Sequence, residues 1–299
     1  MGSLRGPGTY SIVARDPDTL ELGVAVQSHW FSVGSVVPWL APGVGAVATQ
    51  SIPAPNAGPR LLEALAGMAA QDALRLHLAS DDERDMRQLA IVDARGEAAA
   101  HTGSGCIPHA GDITGPGFSC QANIMATTEV WGAMGEAYEA ATGPLAERLL
   151  TALDAGEEAG GDVRGRQSAA LVIVPADGEA HVRSVDLRVE DHVEPHAEMW
   201  RLLVLHRAYE LAGEADEMVA QARHDEAAPL YERASDLAPA NDELLFWAGL
   251  AAFQDGRRDE GLARVRRAID ANPGWGALLP RLTADVAPSA PAVREALGL

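Results

Sequence analysis

The chain has 299 residues, with 23 Lys or Arg against 43 Asp or Glu and a formal net charge of −20. Hydrophobic residues make up 47% of it, enough for a buried core, and its length favours two domains. Every cation is an arginine, which excludes Schiff-base lysines and the lysine of phosphate-binding loops. So acidic a surface repels nucleic acid and anionic membranes, so neither is an expected partner.

Membrane and export signals are missing from the sequence pattern. No run approaches the ~18 apolar residues that a membrane span needs, and the first residues contain no apolar stretch typical of a secretory signal. Cys106 and Cys120 do not form a disulfide framework, and we expect free thiols. We therefore expect a cytoplasmic protein.

The first two hundred residues carry mainly strand patterns, with helical patterns between them. After a glycine-rich leader, residues 1–8, the chain predicts strands over 9–16, 21–28 and 43–51, a helix over 61–80 and a hairpin over 87–105. A strand at 118–126 is followed by a helical pattern. A second amphipathic helix covers 144–160, and a hairpin covers 168–189. This order predicts an α+β domain of two antiparallel sheets face to face, with helices outside.

Beyond residue 200 the strand pattern ends and a repeat begins. Residues 226–241 align with 260–275, and Pro239 and Pro273 are 34 residues apart, as are Ala234 and Ala268. This period, with small residues at helix crossings and proline after the second helix, is the signature of tetratricopeptide repeats. We therefore predict domains at 9–195 and 196–299, the second being an all-α module that recruits a protein or peptide partner.

Several motifs of the first domain occur in a recognisable order. They are TYSIVARDP (9–17), ELGVAVQS (21–28), VGSVVPW (33–39), GVGAVATQ (43–50), RQLAIVD (87–93), QAN (121–123) and GGDVRGRQSAAL (160–171). Together they resemble the domain-of-unknown-function family 1028, placed in the N-terminal-nucleophile (Ntn) hydrolase superfamily. The resemblance implies a four-layer αββα sandwich.

The resemblance also implies a mechanism, in which an N-terminal Thr, Ser or Cys attacks an amide and its own α-amine is the general base. An α-amine has a pKa of about 7.7–8.0, close to the working pH. Here the nucleophile implied is Thr9, exposed by cleavage after Gly8. Unless the leader is removed, Thr9 has no free amine, and the alternative is an ordinary β-branched strand residue.

The remaining site residues follow from the same resemblance. His29, after Ser28, takes the position of a basic residue and replaces the absent lysine, for which Arg15 and Arg87 are weaker substitutes. Asn123 would stabilise the oxyanion. Ser28 is a further catalytic candidate. Asp162 and Ser168 are candidate orienting residues, and their alternative is a glycine-rich turn with a contact between Arg164 and Asp162. The candidate substrate-binding residues are Thr49, Gln50 and Arg87.

Metal and cofactor sites have weaker support. Cys106, His109 and Asp112, with His101 and Cys120 nearby, could supply zinc ligands, but their spacing is permissive and common. His192 and His196 are one helical turn apart, but Pro195 between them indicates a linker rather than a metal site. No phosphate-binding loop occurs, so we predict neither a metal nor a cofactor.

Two functions from different classes remain. The first is an Ntn-type hydrolase of a small amide or peptide substrate, with Thr9 as nucleophile and self-association into a homodimer. The second is a catalytically inactive Ntn-fold scaffold protein that recruits a partner through its helical repeats. The missing lysine and the occupied N-terminus favour the scaffold, whereas Ser28, Asn123 and Asp162 favour the enzyme.

Overall fold

The computed structural model describes residues 8–299, so the predicted leader lies outside the described residues except for Gly8. Contacts between Cα atoms divide the chain into two compact units, the first ending at Trp200 and the second beginning at Arg201. A long helix, α5 (Pro195–Ala220), runs across this division.

The strands of the first unit form two antiparallel sheets. In chain order they are β1 (Thr9–Arg15), β2 (Leu22–Ser28), β3 (Pro38–Ala41), β4 (Gly45–Ser51), β5 (Arg87–Asp93), β6 (Ala98–Thr102), β7 (Gly111–Gly115), β8 (Phe118–Asn123), β9 (Ser168–Val174) and β10 (Val185–Val189). The larger sheet has the order β10-β9-β2-β1-β8-β7, and the smaller β3-β4-β5-β6. β1 is therefore a central strand.

The two sheets pack face to face through small aliphatic side chains. Val24 and Val26 of β2 share one buried cluster with Ala46 and Ala48 of β4. Because side chains alternate along a strand, neighbouring residues such as Thr49 and Gln50 point to opposite faces of the smaller sheet. This alternation decides which polar residues lie between the sheets.

Helices cover the outer faces of both sheets. Within the described part of the first unit they are α1 (Ala57–Leu65), α2 (Ala70–Ala79), α3 (Val130–Ala140) and α4 (Leu145–Glu158). Leu61 of α1 and Leu74 of α2 pack on the smaller sheet. A Cβ at Gly23 of β2 would lie 2.6 Å from Leu149 of α4, so this glycine lets α4 approach the larger sheet. The prediction of two antiparallel sheets accompanied by helices is confirmed.

Some predicted elements differ from the structure. The single helix predicted over 61–80 is two helices, because the chain turns at Ala66–Ala69 between α1 and α2. Two strands were not predicted. β3 contains a proline and β7 is a short, partly exposed sheet-edge strand, GDITG, so neither has a clear alternating pattern.

The second unit is helical throughout its regular elements. In chain order these are α6 (His224–Leu237), α7 (Asp242–Gln254), α8 (Arg258–Ala271), α9 (Gly274–Leu278), a 3-10 turn at Leu279–Arg281 and α10 (Ala290–Leu297). α6 and α8 begin 34 residues apart, which matches the repeat seen in the sequence. At the crossing of α7 and α8, a Cβ on Gly261 would lie 2.6 Å from the Gly249 carbonyl oxygen, so only a glycine fits there.

Candidate functional site

The first residue of β1 lies between two polar neighbours. In the register of the larger sheet, Thr9 stands opposite Ser28 on β2 and opposite Asn123 on β8. All three side chains are buried. Three predicted site residues that are far apart in the sequence are thus brought together by strand pairing.

Hydroxyl groups connect Thr9 to the peptide bond that precedes it. The Thr9 hydroxyl donates a hydrogen bond to Ser28 Oγ at 3.1 Å. The Ser28 hydroxyl in turn donates to the carbonyl oxygen of Gly8. The nucleophile candidate and the carbonyl of the Gly8–Thr9 bond therefore share one serine.

A guanidinium group reaches the same carbonyl. Nη2 of Arg164 lies 3.2 Å from the Gly8 oxygen. Asp162 holds the guanidinium through Nη2–Oδ2 and Nε–Oδ1 distances of 2.8 and 3.0 Å, and its side chain is fully buried. The ion pair aims the arginine at Gly8 because two bonds from one carboxylate fix the plane of the guanidinium.

Amide side chains from both sheets meet around Thr9. Gln50 Nε2 donates to the Thr9 carbonyl oxygen at 3.2 Å and to Gln88 Oε1 at 2.8 Å. Asn123 Nδ2 also donates to Gln88 Oε1, at 2.8 Å. One amide hydrogen of Asn123 is used in that bond, and a second hydrogen remains on the same nitrogen.

Two predicted site residues have a buried side-chain atom with no hydrogen-bond partner among the described residues: Oδ1 of Asn123 and Nδ1 of His29. The backbone N–H of His29 lies 3.4 Å from Oδ2 of Asp162, which ties the end of β2 to the Asp162 turn.

Three predicted residues lie outside the Thr9 cluster: Ser168, Thr49 and Arg87. Ser168 stands opposite Ser28 in β9, but its hydroxyl donates to the Trp30 carbonyl oxygen at 2.5 Å and accepts from Val33 N–H. Thr49 faces away from Thr9, since its hydroxyl bonds with Trp39 Nε1 and the Val36 carbonyl oxygen. These contacts hold loops in place.

Arg87 is held by two carboxylates and a carbonyl rather than by the Thr9 cluster. It binds Asp81 at 2.9 Å, Glu83 at 2.6 Å and the Ile52 carbonyl oxygen at 2.8 Å. The hydrogen bond from Arg87 keeps the pKa of Asp81 below its ordinary value. The structure therefore gives Arg87 a role in bracing the start of β5.

Two features of the cluster escaped the sequence analysis: Gln88, and the contact of Arg164 with Gly8. Gln88 is a polar residue on the inward face of an otherwise apolar strand, a signal visible in RQLAIVD. Arg164 lies in the GDVRGR segment, which drew attention for Asp162. Its contact with Gly8 joins residues distant in the sequence, and no local pattern announces it.

The cysteine and histidine candidates for zinc are dispersed. Cys120 is fully buried in β8, and burial raises the pKa of its thiol well above the ordinary value. The Cys106 thiol donates to the Arg87 carbonyl oxygen, and its pKa is also raised by burial. Within residues 8–299 no three His, Cys, Asp or Glu side chains are arranged to hold a metal ion.

A second polar cluster lies on the outer face of the larger sheet, next to Thr9 in sequence but on the opposite side. Tyr10 donates to Glu157 Oε2 at 2.6 Å, and its oxygen lies 3.0 Å from His196 Nε2. His196 Nδ1 lies 2.7 Å from Asp154 Oδ1. Burial and the nearby Glu157 raise the pKa of Tyr10 well above its ordinary value.

Across the described residues, the helices are too short or too polar to cross a membrane.

The fold and the cluster around Thr9 define a mixed α/β protein. It has two antiparallel sheets and a buried group of Thr9, Ser28 and Asn123 where the central strand β1 begins. The chain belongs to the family of unknown function DUF1028, whose sequence model matches residues 9–199. A comparison with curated proteins gives no match.

Solved structures show the same relationship. The crystal structure of protein SPO2555 from Silicibacter pomeroyi, of family DUF1028, is 33% identical with a TM-score of 0.60, covering 66% of this chain and 88% of that one. Anbu, the ancestral beta-subunit from Yersinia bercovieri, is 13% identical with a TM-score of 0.33, covering 64% of this chain and 90% of that one. The second likeness is too weak to carry an argument.

Proposed function

We propose that this protein is an Ntn-type hydrolase of amide bonds in a small molecule or peptide, with Thr9 as the nucleophile. The observation that carries the proposal is the hydrogen-bond chain from the Thr9 hydroxyl through Ser28 to the Gly8 carbonyl oxygen. Through this chain the Thr9 hydroxyl can give up its proton. The same hydroxyl lies next to the Gly8–Thr9 peptide bond, whose cleavage would free the Thr9 amine.

The mature form begins at Thr9 in this proposal. Its α-amine takes the hydroxyl proton as Oγ attacks the substrate carbonyl. The second amide hydrogen of Asn123 and a backbone N–H hold the oxyanion, the amine gives its proton to the leaving nitrogen, and water then hydrolyses the ester. Gln50 and Gln88 fix the positions of Thr9 and Asn123, since each bonds to one of them.

The layering of the first unit supports the Ntn αββα assignment: helices, two face-to-face sheets and helices, with Thr9 opening a central strand. For the second unit we propose tetratricopeptide-like repeats that bind a protein or peptide. The 34-residue spacing of α6 and α8 and the glycine contact between α7 and α8 support this assignment.

A scaffold without catalysis is the second candidate. It is favoured by the absence of lysine and by the eight residues that precede Thr9 in the sequence, since Thr9 has no free amine unless they are removed. Under either function we propose a homodimer. The hydrolase and the scaffold differ in whether Thr9 reacts.

Intact-mass measurement and a β-lactone probe test the proposed function. The intact mass should show that the mature protein begins at Thr9. Because a β-lactone acylates a nucleophilic hydroxyl, this protein should gain one adduct at Thr9. Thr9→Ala, which removes the hydroxyl, should gain none. Ser35→Ala, which removes an exposed hydroxyl at the end of the 3-10 turn Val33–Ser35, should be labelled as the wild type is.

A chain engineered to begin Met-Thr9 separates activity from processing. Once its Met is removed, it should be labelled at Thr9 at least as fast as the full-length protein. If neither form gains an adduct, the hydrolase is wrong and the scaffold is favoured.

A further inference from the structure

We propose that Arg164 and Ser28 are catalytic residues with which the chain cleaves its own Gly8–Thr9 bond. The inference rests on the proposed function, because it supplies the step that frees the Thr9 amine. It assigns a role to Arg164, which no sequence motif indicated.

The carbonyl oxygen of Gly8 has two donors, one neutral and one charged. Ser28 donates its hydroxyl, and Arg164 places Nη2 at 3.2 Å. Attack on a carbonyl moves negative charge onto this oxygen, and donors already aimed at it stabilise the transition state. The guanidinium supplies the charge that a lysine cannot supply in this lysine-free chain.

The proton path follows from the directions of the hydrogen bonds. As Thr9 Oγ bonds to the Gly8 carbonyl carbon, its proton passes to Ser28 Oγ and the Ser28 proton passes to the Gly8 oxygen. The product is a neutral five-membered ring, in which the carbon carries the Thr9 oxygen, the Thr9 nitrogen and a hydroxyl.

The ring then opens at the other bond. The C–N bond breaks, the hydroxyl proton passes to the Thr9 nitrogen, and an ester joins Gly8 to Thr9 Oγ. Water hydrolyses this ester to a Gly8 carboxylic acid and a Thr9 hydroxyl. Atoms and protons balance with water as the one co-reactant, and the amine is left beside the hydroxyl it must deprotonate.

The surroundings are built around this geometry. A Cβ at Gly8 would lie 2.5 Å from Arg164 Nη2 and 2.6 Å from Asp162 Oδ2, so the arginine reaches the carbonyl only because residue 8 is glycine. Asp162 is a positioning residue, since it touches the guanidinium through both oxygens. The guanidinium in turn gives the fully buried Asp162 carboxylate a charged partner.

The chain contains a matched control for Arg164. In the turn after β5, Asp93 holds Arg95 in the same way, with the Arg95 backbone N–H at 2.8 Å and Nη2 at 3.0 Å. In the Asp162 turn the Arg164 backbone N–H lies at 2.9 Å from the carboxylate. Arg95→Gln thus breaks the same kind of turn without touching Gly8.

Cell-free synthesis of the full chain, sampled over time by intact mass, measures the half-time of cleavage. We expect Arg164→Gln to lengthen it about 100-fold, the usual effect of losing one oxyanion donor, and Arg164→Lys to recover part of that loss. Ser28→Ala should slow cleavage at least as much. Arg95→Gln should cleave like the wild type, and every rate should be independent of protein concentration, because the reaction lies within one chain.

The outcomes separate this inference from the proposed function. Wild-type cleavage rates in Arg164→Gln and Ser28→Ala would overturn the inference and leave the hydrolase standing. An intact wild-type chain would also overturn it, and β-lactone labelling of the Met-Thr9 form then decides the hydrolase by itself. If Arg164→Gln lowers Tm more than Arg95→Gln does, slow cleavage in Arg164→Gln could reflect a weakened fold. The cleavage rate of Ser28→Ala, which removes a single oxygen, then tests the inference.

Discussion

Gly8 has no room for a side chain. A Cβ there would also lie 2.9 Å from Ile124 Cβ, besides its collisions with Asp162 and Arg164. Gly8→Ala should therefore displace the guanidinium, lower Tm and slow cleavage. Gly132→Ala in α3 is the control: its Cβ meets nothing within 4 Å, and it should stabilise the fold by about 0.5–1 kcal/mol. Thermal unfolding and intact mass measure both effects, and unchanged cleavage in Gly8→Ala would show that the glycine is not required.

At the same scale, sequence analysis predicted part of the candidate site. Thr9, Ser28 and Asn123 were predicted, and the register of the sheet brings them together. Gln88 and the contact of Arg164 with Gly8 were not, because the partner lies on another strand or some 150 residues away in sequence. Strand patterns show which residues face inward, but only the folded chain shows which inward residues meet.

The turn between β1 and β2 is built on one carboxylate. Asp16 accepts hydrogen bonds from the N–H groups of Asp18 and Thr19, both at 2.9 Å, and lies 3.2 Å from Arg148 of α4. Burial alone would raise the pKa of Asp16, but these hydrogen bonds and Arg148 outweigh it and hold the pKa below its ordinary value. A carboxyl group whose pKa is lower in the folded than in the unfolded state stabilises the fold at pH values above its unfolded pKa. That stabilisation is lost as the pH falls through the folded pKa.

Asp16→Asn should therefore lower Tm at pH 7, and the Tm difference from the wild type should narrow once the pH falls below about 4. Circular dichroism during heating, at several pH values, measures the difference. Asp72→Asn removes an exposed pair with Arg75 in α2 and should change Tm little. A difference for Asp16→Asn that widens in acid would contradict the stabilising role of the carboxylate.

Elements with strong periodicity were predicted from sequence, and weak ones were not. β1, β2, β5 and β9 carry apolar runs bounded by turn residues, which predict strands directly. The break between α1 and α2 interrupts a helical pattern without a proline, so periodicity extends across it. Edge strands such as β7 bury little, and their sequence therefore carries little signal.

For the whole molecule, the order of elements predicted two antiparallel sheets, since hairpins alternate with groups of helices. The domain boundary is harder to predict, because the helix α5 begins in one compact unit and ends in the other. Its first turns bond to α4 of the first unit: Trp200 Nε1 donates to Asp154 Oδ2 at 2.7 Å, and His196 contacts both Asp154 and Tyr10. Contacts of this kind are invisible in the helical pattern.

A chain ending at Trp200 should therefore fold as a cooperative unit, whereas one ending at Pro195 should have a lower Tm. The shorter chain leaves the partly exposed Asp154 carboxylate without His196 and Trp200, and the buried Tyr10 hydroxyl without His196. Losing a partner costs about 1–3 kcal/mol for a buried polar group such as Tyr10, and less for an exposed carboxylate such as Asp154. Trp200→Phe in the full chain removes the N–H donor together with the five-membered ring of the indole but keeps His196, so it should account for part of the loss. Differential scanning calorimetry of the three proteins measures these steps. Equal Tm values for the two shortened chains would place the end of the first unit at residue 195, with the first turns of α5 contributing nothing to its stability.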